Sequence, residues 1–201
     1  HDFAQDLERL LDFNKIIKAH FVGLSMGARI LMDFYPTNKE RVATLTLCDC
    51  FFSYKKALSP EKQKEFIELR QRPLLAGEPL SELAPSLIQS LVGPNCSDQA
   101  RKQLYQSILD IHVSSYLKTI EATTKFNATG SLSSISVPVQ LIFGEHDKLT
   151  PPSVGELMHS QLPNSNLKII LNSGHLSNIE QPEEFNSIMA KFIETHRAQA
   201  K

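Results

Sequence analysis

The sequence has no tryptophan, eight glycines in 201 residues and three cysteines. Cys48, Cys50 and Cys96 cannot all pair, which excludes a disulfide-stapled scaffold. With no export signal opening the sequence, they fit a reducing compartment, and the protein is expected in the cytoplasm. Cys48 and Cys50 form a C-x-C in an apolar run; on a strand they would share a face, and they read as two small buried hydrophobes. A zinc site would need further Cys or His at short spacing, and none is nearby, so no metal is expected. An excess of one charge is also missing. The 21 Lys and Arg stand against 22 Asp and Glu, a net charge of −1, which gives no basic field to attract nucleic acid or an anionic membrane. No apolar run reaches the roughly 20 residues needed to cross a bilayer. Internal repeats and low-complexity stretches are absent. What is there, 41% hydrophobic and 21% charged residues, describes a soluble globular chain with room for one core.

The pattern opens by alternating helix and strand. Phe3, Leu7, Leu10, Leu11 and Phe13 have helical spacing. The apolar run from Ile16 to Val22, ended by Gly23, predicts a strand over 15–22, buried on both faces. Residues 26–35 predict a helix stopped at Pro36, and VATLTLCDC, residues 42–50, a second strand. Helix, strand, helix, strand in fifty residues argues for a parallel sheet in an α/β fold. From 51 to 136 the texture changes to short amphipathic helices. Ser59 caps one, with Pro60 at its first position and an expected stop before Pro73. Ser81 opens another, with Leu83, Leu87, Ile88, Leu91 and Val92 on one side, ended by Gly93-Pro94; Ser97 opens a third that aligns Leu104, Ile108 and Ile111. The strand rhythm then returns. A strand over 139–143, a helix over 153–161 and a strand over 167–171 are followed by the loop SGHLSNIEQP. A closing helix over 183–197 carries Phe185, Ile188, Met189, Phe192 and Ile193 on its apolar face. The expected organisation is a core of residues 1–50 and 137–201, interrupted by a helical cap over 51–136.

HFVGLSMGARI, residues 20–30, places Ser25 between Gly23 and Gly27, after a predicted strand and before a predicted helix. This G-x-S-x-G pattern in that context is the sharp turn that exposes a serine hydroxyl above a strand end. Glycines on both sides remove side chains that would block so crowded a corner. A free serine hydroxyl is a weak nucleophile and needs a base. The N–H of Met26, at the start of the helix, can stabilise a developing oxyanion. His175 stands in a loop directly after the strand 167–171, which brings an imidazole to the same sheet edge as Ser25. The other histidines are less well placed: His20 inside the strand, His112 in the helical segment, His159 and His196 in helices, His146 in a turn. The base needs an orienting carboxylate. Asp147, reached from the strand 139–143 through Gly144-Glu145-His146, is preferred; Glu145 and Asp49 are the rivals, each with a turn role as its alternative. Ser25, Asp147, His175 is the chain order of an α/β-hydrolase triad.

The segments HFVGLSMGA, VPVQLIFGEHDKLTPP and SGHLSNIEQPEEFN, in that order, resemble the α/β-hydrolase superfamily. The last segment, with the spacing of the helical insert, most resembles the 3-oxoadipate enol-lactonase-like branch. The resemblance covers most of the chain. It implies a mostly parallel sheet flanked by helices and a cofactor-free hydrolase of a small carboxylic ester or lactone. C–C bond hydrolases, cofactor-free haloperoxidases and other esterases share the same three motifs. It also implies four strands ahead of the elbow strand and an early His-Gly-rich loop that gives a second oxyanion donor. The sequence opens at the helix before the elbow strand and contains no His-Gly pair. The expectation is therefore a chain lacking the N-terminal strands, part of a longer protein, with its elbow strand as an apolar, unpaired sheet edge. Outside the enzymes, the alternative is an inactive fragment or a binding relative. The helical segment is expected to roof a small, largely apolar pocket. Lys55, Lys56, Arg70, Arg72, Arg101 and Lys102 read as solvated helix surface, with attraction of an acidic substrate as the alternative.

Overall fold

The structure, a computed structural model, describes residues 2–53, 59–128 and 132–200. Four parallel strands form one sheet in the order β1-β2-β3-β4: Ala19–Leu24 (β1), Val42–Cys48 (β2), Val139–Gly144 (β3) and Ser165–Ile170 (β4). The helices are α1 (Asp2–Phe13), α2 (Met26–Phe34), α3 (Pro60–Leu75), α4 (Leu80–Leu91), α5 (Asp98–Leu109), α6 (Val113–Thr124), α7 (Pro152–Gln161), α8 (Ser177–Glu180) and α9 (Pro182–Thr195). The two inner strands, β2 and β3, are buried at every residue, which is why they read as unbroken apolar runs. Strand alternation sorts their side chains between two faces. Leu45, Leu47, Val139, Leu141 and Phe143 pack with α1, α2 and α7, whereas Cys48, Ile142 and Ile170 pack with Phe185 of α9.

The elbow strand departs from its sequence-based expectation. It begins at Ala19 rather than at residue 15, and it is not buried on both faces: Val22 is 43% exposed. The reason is its place. As expected, β1 forms one edge of the sheet, pairing among the described residues only with β2, and an edge leaves part of the strand open. The preceding residues make a turn instead, with Lys15 at φ 55°; the Arg41 guanidinium donates to the carbonyls of Ile16 and Ile17 at 2.7 and 2.9 Å and to Asp12 at 2.8 Å. Cys48 and Cys50 are both buried but do not share a face. The strand ends at Cys48, Asp49 takes φ 45°, and Cys50 turns into the opposite apolar cluster.

The segment after β2 is helical, as expected, with local differences. α3 is capped by Ser59, whose Oγ accepts from Lys62 N–H at 3.4 Å, but it runs through Pro73 to Leu75. Pro73 sits in the last turn, where its missing N–H forfeits a single bond, and buried Leu74 holds the extra turn against the protein. α4 starts one residue before Ser81 behind Pro79, so Ser81 is no cap. Ser97 does cap α5, accepting from Ala100 N–H at 3.2 Å. α4 and α5 share an apolar cluster of their own, Ala84, Ile88, Val92, Leu104 and Ile108, joined by Leu176 and Ile179. Ala128 N–H donates to Phe52 O at 2.7 Å and Ser53 bridges Asn127, so this layer leaves and re-enters the sheet at one place. The loop expected after β4 contains the short helix α8.

Candidate active site

β1 ends in the turn that carries Ser25. Its φ is 51°, and its N–H is held by Cys48 O at 2.8 Å across the β1–β2 pair. A non-glycine residue in this region of φ is strained, and it persists only where its surroundings demand it. Gly23 makes the corner possible: a Cβ there would lie 2.6 Å from Ala28 N and from Gly27 C. Gly27 departs from expectation, because a Cβ on it would meet nothing within 4 Å among the described residues. Ser25 occupies the N-cap position of α2, yet its side chain caps nothing. The hydroxyl instead lies 2.9 Å from His175 Nε2. Met26 is the first residue of α2, so its N–H has no acceptor within the helix.

His175 is buried and takes its tautomer from its partners. Nδ1 lies 2.8 Å from Asp147 Oδ2. A carboxylate only accepts, so Nδ1 is the donor and Nε2 is left to accept the Ser25 proton. Asp147 is buried with both oxygens occupied. Oδ1 accepts from Leu149 N–H at 2.8 Å and Thr150 N–H at 2.9 Å; Oδ2 accepts from His175 and from the Thr150 hydroxyl. Thr150 was not singled out from sequence. The signal was available, since an Asp followed two and three residues later by residues leading into a Pro-started helix commonly accepts their N–H groups.

The rivals for the carboxylate have other partners. Glu145 accepts from Asn172 N–H at 3.0 Å and sits 3.3 Å from His146. Asp49 is fully buried and accepts from Gly144 N–H at 2.8 Å and Ser177 Oγ–H at 2.6 Å. Burial pushes its carboxyl up to about 7, against the opposing pull of the Ser177 hydroxyl, His175 and the Gly144 N–H. Burial likewise raises both Cys48 and Cys50 thiols, so neither is a ready nucleophile. The remaining histidines have local partners: His20 with Thr44, His112 with Ser114 and Ser115, His159 with Ser165, His196 with Phe192 O. Among the described residues, no group of three or more His, Cys, Asp or Glu is placed to hold a metal ion, and no helix is long and apolar enough to cross a membrane.

The α4–α5 layer is fastened to the His175 loop. His175 N–H donates to Leu91 O at 2.7 Å, and the Glu180 carboxylate bridges Gly93 N–H at 2.7 Å and Gly174 N–H at 2.8 Å. A cavity of about 120 Å³ adjoins the elbow, bounded by Met26, Arg29 and Ile30 of α2, Phe3 of α1, and Thr119, Ala122, Thr123 and Phe126 at α6. Of the basic residues, Lys55 and Lys56 lie outside the described residues. Arg70 stacks on the Phe66 ring at 3.7 Å, and Arg101 is held by Cys96 O and Gln89.

These features belong to a fold with known members. The profile of the alpha/beta hydrolase fold family matches residues 1–182, and the chain belongs to that family of hydrolases. It is similar to 3-oxoadipate enol-lactonase 1 of Acinetobacter baylyi, at 26% identity over 197 residues, covering 96% of this chain and 71% of that protein. It is similar also to 2-hydroxy-6-oxononadienedioate/2-hydroxy-6-oxononatrienedioate hydrolase 2 of Pseudomonas putida, at 28% identity, covering 95% of this chain and 68% of that one. Among solved structures, a thermophilic esterase from Thermogutta terrifontis superposes with a TM-score of 0.85 at 25% identity, over 96% of this chain and 71% of the esterase.

Proposed function

We propose that the chain is a serine hydrolase of a small carboxylic ester or lactone, with Ser25, His175 and Asp147 as its triad. The observation that carries this is the unbroken line of short contacts from Ser25 Oγ to His175 Nε2 at 2.9 Å and from Nδ1 to Asp147 at 2.8 Å. His175 takes the proton of Ser25 as Oγ attacks the acyl carbon, and returns it to the leaving oxygen. Asp147 holds the ring and stabilises the imidazolium that forms. Met26 N–H, at the positive end of α2, donates to the oxyanion. Water activated by His175 then releases the acyl group. Residues 51–136 act as the cap over the site. The odd number of cysteines supports a reducing compartment, the cytoplasm, for this chemistry.

A second reading is supported by the Pseudomonas putida relative, whose identity to this chain is as high as that of the lactonase. On this second reading, Ser25, His175 and Asp147 act on a C–C bond in place of an ester. Turnover of an enol-lactone, an aryl ester and a vinylogous diketone by the chain and by Ser25→Ala separates the two. Hydrolysis of ester or lactone that Ser25→Ala abolishes supports the proposal. Turnover of the diketone alone favours the second reading, and no Ser25-dependent turnover of any of them favours an inactive scaffold.

A further inference from the structure

Asp49 is a costly residue to keep. It is fully buried, and its φ of 45° is unfavourable for a residue with a side chain. Its partners among the described residues are neutral donors, Gly144 N–H and Ser177 Oγ–H. A buried carboxylate without a paired cation lowers stability unless something else is gained. Its position suggests what is gained. Leu24 pairs with Cys48 at the ends of β1 and β2, so Ser25 and Asp49 are the next residues on adjacent strands, and both take positive φ. Asp49 N–H is fixed in turn by Ile142 O at 2.9 Å. From there one carboxylate oxygen holds Gly144, three residues before Asp147, and the other holds Ser177, two residues after His175. The titratable groups around it are His175 and Asp147 on the two loops, and Cys48 and Cys50 on its own segment.

We infer that Asp49 is a positioning residue: its carboxylate ties the loop that carries Asp147 to the loop that carries His175, and so keeps the imidazole aligned on Ser25. The functional part rests on the serine-hydrolase reading above; the positional part does not. The two loops also meet directly, through His146 N–H to Ser173 O at 2.8 Å and Asn172 N–H to the Glu145 carboxylate at 3.0 Å; those bonds lie ahead of Asp147 and His175 in the chain, whereas the Asp49 bond to Ser177 holds the His175 loop on the far side of the ring. Removing the tether should let the His175 loop shift by a fraction of an ångström. That raises the barrier for chemistry more than it weakens substrate binding.

The test reads geometry and activity separately. In wild type, Asp49→Ala, Ser177→Ala and Asp49→Asn, the low-field proton resonance of the His175 Nδ1–H is recorded at pH 7, together with Tm and with kcat and KM for an aryl ester. The wild type should show the resonance. Asp49→Ala and Ser177→Ala should broaden or lose it while remaining folded, with kcat down about 10- to 100-fold and KM within about twofold. Asp49→Asn should restore it, because Asn can accept from Gly144 N–H and donate to Ser177 once that hydroxyl rotates to accept. An intact resonance in folded Asp49→Ala and Ser177→Ala overturns the inference, as does its absence from the wild type. Should the wild type hydrolyse no ester but show a resonance that Asp49→Ala loses, the hydrolase reading fails and the tether stands.

Discussion

On the β3–β4 side of the sheet, Asp147 has both oxygens occupied, His175 is buried, and Glu180 bonds the His175 loop to the helical layer above it. On the β1 side, the elbow strand forms a sheet edge, and Phe3, Leu10, Phe13, Ile17 and Val22 are exposed nearby in sequence. The proposed acid and base, Asp147 and His175, are thus held by many bonds. The corner that carries Ser25, the proposed nucleophile, depends on the absence of a side chain at Gly23 and on the bond from Ser25 N–H to Cys48 O. Losing one of those bonds around Asp147 and His175 should leave the chain folded while shifting the ring by a fraction of an ångström, whereas at the corner nothing can take the place of the missing side chain at Gly23.

Substitutions should sharpen this contrast, the largest effects falling on the triad. Ser25→Ala and His175→Ala are expected to reduce kcat for an aryl ester by about 10⁶-fold, and Asp147→Asn by about 10⁴-fold, measured against the same chain. Gly23→Ala comes next. Its Cβ would press on the backbone of the following helix at 2.6 Å, so unfolding by urea should show a loss of about 3 kcal/mol or more. Gly27→Ala is the counterpart: with open space at that position it should gain about 0.5–1 kcal/mol from better helix propensity in α2.

Asp49 gives a comparison between conditions. Its folded-state carboxyl titrates at about 7 against an ordinary value of 3.8, so the native state binds the proton more tightly than the unfolded chain. That residue therefore removes stability as pH rises from about 4 to about 7, and the loss is complete above 7; the difference is roughly 4 kcal/mol. Asp49→Asn should raise Tm at pH 8 and leave it nearly unchanged at pH 4, read by calorimetry at both values.

Most of the sheet, and the meeting of Ser25, His175 and Asp147, were legible because each leaves a local mark. Buried parallel strands read as apolar runs, and the turn after β1 requires glycine at Gly23. The acid and the base could be placed because both follow strand ends. What sequence did not show depends on neighbours distant in the chain. The edge position of β1 was expected from the missing upstream strands, but its apolar run does not say which residues of an edge strand are exposed, and the exposure of Val22 was missed. Pro73 was taken as a stop because a helix's loss of one bond is visible in sequence while the anchoring by Leu74 is not. Asp49 was weighed as a rival acid, but its bond to Ser177, 128 residues away, leaves no pattern along the chain.

The central claim is that Ser25 is a nucleophile activated by His175, and covalent labelling with a fluorophosphonate tests it most directly. The account predicts a single adduct on Ser25 in the wild type, formed far more slowly in His175→Ala and not at all in Ser25→Ala. A folded wild-type chain that forms no adduct, or one that labels equally fast without His175, would contradict it.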